Sequence, residues 1–365
     1  MLRSLLFLLT TSGCLVWLGG SAKAQNALGD RIKVLSDTSA VYGTIETITR
    51  NEVTVSQPNG NKTVPVNDIV SLQLAGEPIE VKEARAAAAK GDYDAALQAL
   101  DKVKADDVTR DLVRQEMEYL KFLYAARLAI TAQAAGDDDD APKQDPVEAA
   151  KQAGGNLNKY IKDHPNTMHY YEANETLGEL LAAIGNYDAA ATFFKELGTA
   201  PWPDYQARAE LLRGRALQMQ GKYDQALAAY DTVLKIGGKG TLAEQQAQEA
   251  TIGRTYSLAG QGKADEAIKV LNEIIAKADD DDVDLLALAY NALGNCYRTL
   301  KNPQQALWAY LHVDLEYHSA PEPHAEALAN LAALWTEMHR PDRARDARDD
   351  LQKNYPHSRW TKRGK

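Results

Sequence analysis

The sequence predicts a mainly α-helical solenoid of helix pairs preceded by a small, barrel-like β module. Three observations carry this expectation. A short phrase built around Gly, Tyr and Ala recurs from Gly91 to Ala344; apolar residues alternate with period two between Asp30 and Leu74; and alanine is abundant while Tyr (17) far exceeds Phe (4). Small residues at high frequency suit many closely packed helices better than a large sheet.

The 365 residues are 45% apolar and 25% charged, with two cysteines, which is ordinary for a soluble globular chain and excludes disordered, disulfide-rich and polytopic membrane classes. Length alone suggests about two domains. A formal charge of −10 makes nucleic acid and anionic membrane poor partners.

The first element is a targeting segment over residues 1–24. Arg3 precedes an apolar run from Leu5 to Leu18, and Ala22-Lys23-Ala24 forms a small-residue cleavage pattern before Gln25, as in a secretory signal peptide. The run is shorter than the roughly 20 residues that span a bilayer. Ser12-Gly13-Cys14 offers a rival, a lipid anchor at Cys14. Cleavage would remove Arg3, Lys23 and Cys14, deepen the charge and leave Cys296 without a disulfide partner. The expected location is the periplasm or cell envelope, with no membrane span after cleavage.

The second element, residues 25–76, reads as short strands: Ile32 and Val34, then Val41, Ile45 and Ile48, then Val53 and Val55, Val64 and Val66, and Ile69, Leu72 and Leu74. Period-two spacing indicates half-buried strands, and Asn59-Gly60 marks a tight hairpin. Five strands in so short a segment resemble an SH3-like or Sm-like barrel, which implies a docking or capping module.

The remainder, residues 78–360, is an array. Gly91-Asp92-Tyr93-Asp94-Ala95-Ala96 recurs as Gly185 to Ala190 and Gly221 to Ala226, with weaker copies at Gly262, Lys301 and His339. Upstream lie small residues, Ala84, Gly178, Gly214, Gly253, Gly294 and Ala332, each followed three residues later by Ala87, Leu181, Leu217, Tyr256, Tyr297 or Trp335. Beyond the repeat alanines come Leu100, Phe194, Tyr230, Leu271 and Tyr310, one helical turn along the same face. These features resemble the tetratricopeptide repeat, which implies a right-handed superhelix of helix pairs whose first helices line a concave groove. Between Ala96 and Ala190 the phrase is missing; residues 109–133 and 146–163 are expected to form a divergent pair, joined by a disordered acidic loop near 136–145. Helix-ending Tyr355-Pro356 resembles cell-envelope proteins related to outer-membrane assembly lipoproteins.

No catalytic fingerprint occurs. His164 and His169 are five apart, and His312, His318 and His324 are six apart, the wrong spacing for a metal pair on one helix. The acidic runs at Asp137 and Asp279 lack the glycine and closing Glu of a calcium loop. No metal, cofactor or enzymatic activity is expected, and Cys296 reads as a packing residue.

The residue after each small packing residue is expected to face the groove. This register holds Arg85, Glu179, Arg215, Arg254, Asn295 and Ala333, and one turn away on the same face come Arg208, Asn291 and Arg298, so Arg and Asn gather along the central groove. Such a set resembles the carboxylate clamp of chaperone-binding tetratricopeptide proteins, implying a protein or acidic peptide partner held by charge-assisted bonds. The alternative for the arginines is pairing with Asp or Glu on neighbouring helices. The expected function is a non-enzymatic interaction scaffold; the alternative is an assembly component that docks through the β module or convex face.

Overall fold

The computed structural model describes residues 29–133, 146–238, 240–356, 358 and 360–361. The expected signal segment and acidic loop lie outside the described residues.

Five strands, β1 (Asp30–Val34), β2 (Val41–Ile48), β3 (Glu52–Gln57), β4 (Gly60–Pro65) and β5 (Ile69–Gln73), form one antiparallel sheet in the order β4-β3-β2-β1-β5. Alternation buries Ile32, Val53 and Val55 completely. Register shifts at Ile45/Thr47 and Lys33/Val34 add local bend and twist. The β3–β4 hairpin turns through Pro58 and Asn59, one residue earlier than Asn59-Gly60; only Gly60 takes a positive φ, at 116°.

Fourteen α-helices follow among the described residues, as seven consecutive pairs: α1 (Ile79–Ala88) and α2 (Tyr93–Asp101), α3 (Asp111–Gln133) and α4 (Pro146–Asp163), α5 (Tyr170–Ala183) and α6 (Tyr187–Leu197), α7 (Pro203–Met219) and α8 (Tyr223–Ile236), α9 (Thr241–Gly260) and α10 (Ala264–Lys277), α11 (Val283–Thr299) and α12 (Pro303–Glu316), α13 (Pro321–Glu337) and α14 (Pro341–Asn354). The gap in the repeat phrase holds one pair, α3 and α4, as expected.

The recurring phrase is a helix stop. Gly91, Gly185, Gly221 and Gly262 take φ of 72° to 78°, and Lys301 and His339 adopt the same left-handed conformation at 55° and 58°. In each turn this residue's N–H reaches back three residues and the next N–H reaches back five, as Asp92 N to Ala87 O and Arg340 N to Trp335 O. Both closing carbonyls of the first helix are thereby satisfied. Asp92, Asn186 and Asn302 then cap the second helix by accepting the Ala95, Ala189 and Gln305 amides.

Within a pair, glycine faces an aromatic ring. A Cβ on Gly178 would stand 2.3 Å from Phe194, one on Gly214 2.7 Å from Tyr230, and one on Gly294 2.5 Å from Tyr310. Where the second helix offers Leu100, the first carries Ala84; both are fully buried. The fifth pair, α9 and α10, departs from the sequence reading. Gly253 packs on Tyr230 of the preceding α8, 2.4 Å from a built Cβ, so Tyr230 lies between Gly214 and Gly253. The residue seven before the turn glycine, as in the other repeats, is the buried Thr255. Arg254 is therefore out of groove register, and Tyr256 holds that position.

Odd-numbered helices touch one another in succession from α3 to α13, forming the inner layer; even-numbered helices form the outer one. The β module is seated on this array. Its apolar core includes Val108, Val113 and Met168 from the helical region. Buried Asp30 accepts the Ile45 and Ala75 amides and is clasped by both terminal nitrogens of Arg110, immediately before α3. Burial pushes the Asp30 pKa up, but Arg110 and the two amides outweigh it and hold the carboxyl below its usual range. Arg50 lies 4.1 Å over the Tyr170 ring and donates to Pro165 O, while Tyr171 donates to Asn51 at 3.0 Å.

Glycine's role in the pair contact separates two substitutions. Gly294→Ala forces a methyl into the Tyr310 ring and is expected to cost about 1–3 kcal/mol. Gly155→Ala in α4, where a built Cβ meets nothing within 4 Å, is expected to stabilise by about 0.5–1 kcal/mol. Urea denaturation of both variants checks the contrast; equal effects would contradict it.

Candidate functional site

Between β5 and the inner layer lies a cleft of about 610 Å³. One wall is the β module from Val66 to Leu72; the other comes from α1, α3, α5 and α7, including Arg85, Glu116, Leu123, Tyr124, Glu175 and Tyr205. Only odd-numbered helices contribute, so the cleft opens on the inner face.

Its floor is a buried charged cluster. Arg85 bonds both carboxylate oxygens of Glu77 at 2.8 Å and reaches Glu116 at 2.9 Å. Glu116, 6% exposed, also meets His169 Nε2 at 2.7 Å, and the His169 ring stacks on Tyr119 at 3.7 Å. Tyr119 donates to Glu172 at 2.6 Å. Burial alone would push His169 down and Glu116 up. Mutual attraction, reinforced by Glu172 on one side and Arg85 on the other, wins: His169 is lifted to about 9 and Glu116 lowered to about 2. His169 is therefore held as imidazolium in a stacked, carboxylate-bound site at the start of α5.

The other predicted groove residues continue as rungs between inner helices. Arg208 on α7 joins Glu175 at 2.8 Å and Glu179 at 3.4 Å on α5, and Glu249 at 3.8 Å on α9. Arg215 meets the same Glu249 at 2.8 Å, so these two arginines come together. Arg127, which the sequence reading passed over, bonds Glu179. Arg298 on α11 meets Glu337 on α13 at 2.6 Å. Asn295 donates to the Tyr256 hydroxyl at 3.0 Å and accepts from Tyr310 at 2.9 Å.

Two predicted groove residues are corrected. Asn291 is fully buried and donates to Pro323 O at 2.8 Å; it ties α11 to the start of α13. Arg254 pairs with Asp231 of α8 at 3.0 Å, because the small packing residue of the α9–α10 pair is Thr255. Each of the five predicted arginines meets a carboxylate of the chain itself, so a partner's carboxylate would have to displace an internal one. From the segment before α1 to α9 the carboxylates of Glu77, Glu116, Glu172, Glu175, Glu179 and Glu249 lie against Arg85, Arg127, His169, Arg208 and Arg215, so these cations are matched within the chain.

Sequence reasoning missed Glu116 and Tyr119 because they lie in the divergent pair, where the repeat phrase gives no register, and Glu172 because it stands six residues before Gly178, outside the positions that the groove register covers. The available signal for Arg254 was its distance from the turn glycine. Among the described residues no group of His, Cys, Asp and Glu is arranged to hold a metal, and no helix is long and apolar enough to cross a membrane. Cys296 is buried, and burial pushes its thiol up to about 11, which makes it a poor nucleophile at neutral pH.

The cluster sets a pH window. A raised His contributes stability that is complete below its ordinary 6.5 and is lost as pH climbs through about 9. A lowered Glu contributes above its ordinary 4.5 and is lost as pH falls through about 2. Urea midpoints are expected to be highest between these limits, and His169→Gln to abolish the decline on the alkaline side. An unchanged alkaline slope in that variant would refute the assignment.

The tetratricopeptide repeat family model matches residues 211–283. No curated protein matches the sequence. Among solved structures, a tetratricopeptide repeat protein from Parabacteroides merdae is similar with a TM-score of 0.50 at 14% identity, covering 78% of this chain and 97% of that one. The apo form of RapI gives 0.46 at 12% identity, covering 77% and 76%, and NprR in complex with its cognate peptide NprX gives 0.41 at 14%, covering 78% and 80%. The helical array is of tetratricopeptide repeat type, with the matched repeats in residues 211–283 and a five-stranded antiparallel sheet ahead of it.

Proposed function

We propose that this chain is a non-enzymatic interaction scaffold, exported to the periplasm or cell envelope, which holds a segment of a partner protein in the cleft between β5 and the inner helices. The observation that carries the reading is the cleft itself: about 610 Å³, preformed, and walled by two parts of the fold that the Asp30–Arg110 clasp and a shared apolar core hold together. A preformed site spares the partner the cost of reorganising the scaffold. Export is supported by the pattern of residues 1–24.

A second reading is favoured by one feature of the outer layer. Trp308 and Leu315, 63% and 68% exposed, lie seven residues apart on α12 and so on one face, which suits an assembly component docking through the convex side.

A photo-crosslinking phenylalanine analogue placed at Tyr124 or at Trp308 in cells separates the two. The cleft reading expects a discrete partner adduct from position 124 and none from 308. The reverse pattern would establish the outer-face reading, and no adduct from either would defeat the scaffold function.

A further inference from the structure

β5 ends the sheet: β1 pairs with it on one side, and among the described residues no strand pairs on the other. The consecutive residues Ile69, Val70, Ser71 and Leu72 all line the cleft. Ile69 pairs with Val34 and Ser71 with Lys33, so Val70 between them is the extra residue of a bulge and has no partner on β1. The cleft thus meets an edge strand at a point where its ladder is locally broken and Val70 is turned out. Edge strands are commonly blunted by Lys, Pro, a bulge or a cover; this run has the bulge at Val70 but no charge and no Pro, and Val70 is 47% exposed.

The helices opposite supply two kinds of surface. Leu120, Leu123 and Tyr124 of α3 are apolar, while Glu172 and Glu175 of α5 are acidic. Nearby cations are engaged: Arg85 by Glu77 and Glu116, and Arg208 by three carboxylates. Glu175 is bound by Arg208 at 2.8 Å; Glu172, its side chain 49% exposed, accepts from the Tyr119 hydroxyl and lies 3.7 Å from the His169 imidazolium, which Glu116 also engages at 2.7 Å, and among the described residues no Arg or Lys lies within ion-pairing distance of Glu172.

We propose that the cleft takes an extended, alternately apolar and basic segment of a partner protein, which adds to β5 as a sixth strand and sets a Lys or Arg beside Glu172 and Glu175. The proposal rests on the cleft being the partner site and names what fills it. Backbone bonding to the edge supplies affinity independent of sequence, while the α3 and α5 walls select the alternating side chains. Strand residues rise about 3.3 Å each, so the four edge residues offer a contact of about 13 Å.

Fluorescence anisotropy of the purified chain with a labelled octapeptide of alternating Val and Lys tests this. Two further peptides carry N-methyl groups on one or the other alternate set of amides, and a fourth replaces Lys with Glu. Saturable binding of the Val-Lys peptide is expected, with one methylated set about tenfold weaker and the other tolerated, and the Val-Glu peptide about tenfold weaker. The paired substitutions Glu172→Gln and Glu175→Gln are expected to weaken binding about fivefold, whereas Asp280→Asn with Asp281→Asn, removing equal charge elsewhere, leaves it unchanged. Val70→Lys, on the exposed edge, provides a second variant with intact helical content and is expected to weaken binding similarly. Equal binding of both methylated peptides overturns edge addition, and equal loss in both charge variants overturns the acidic site. Absence of peptide binding, or sedimentation showing that a second copy of the chain occupies the edge, also overturns the proposal. In each case crosslinking at position 124 still decides separately whether the cleft is the partner site.

Discussion

Close approach of paired helices is the constraint on which this structure depends. A ring from the second helix needs the space that glycine leaves on the first, as with Phe194 on Gly178, Tyr230 on Gly214 and Tyr310 on Gly294. A helix pair alone cannot bury its apolar face, so each pair covers the next and the array grows in one dimension. Tyr230 shows the principle twice, filling Gly214 within its pair and Gly253 in the following one. Once this packing fixes the angle between pairs, the inner helices present a continuous face, and the β module has a defined surface on which to sit.

The inner face is held together by charge as well as packing. Arginines and carboxylates alternate from α1 to α9, and each partly buried charge has a partner. Such pairs contribute little net stability compared with apolar contacts of the same volume. Breaking one, however, leaves a partly buried charge unmatched, so the ladder fixes how neighbouring inner helices align. The Glu116–His169 pair does this at the cleft floor, where Tyr119 stacks on the imidazolium and fixes its orientation.

Much of this was legible in the sequence, for physical reasons. The turn phrase is readable because the left-handed residue, the cap and the close-contact alanine are fixed by local geometry, and even Lys301 and His339 were recognisable from their neighbours. The strands were readable from period-two burial, and the divergent pair from its length alone. What escaped were relationships between distant residues: Asp30 with Arg110, Glu116 with His169, and the arginines with the carboxylates that neutralise them. Arg254 failed for a local reason, since Gly253 imitates the packing glycine but serves the preceding helix. Asn291 failed because a polar residue one turn from the groove register can equally satisfy a neighbouring carbonyl.

The account depends most on the β module and first helix pairs forming one unit, since a loosely tethered module would not wall a cleft. Native-state hydrogen exchange in the intact chain with Arg110→Ala addresses this directly. If the clasp and shared core unite the two parts, amides of Ile32, Val53 and Val55 and those of Val113 and Leu120 in α3 lose protection by the same free energy. If the strand amides lose protection while α3 keeps its own, the module is an independent attachment and the cleft is not a fixed feature of the fold.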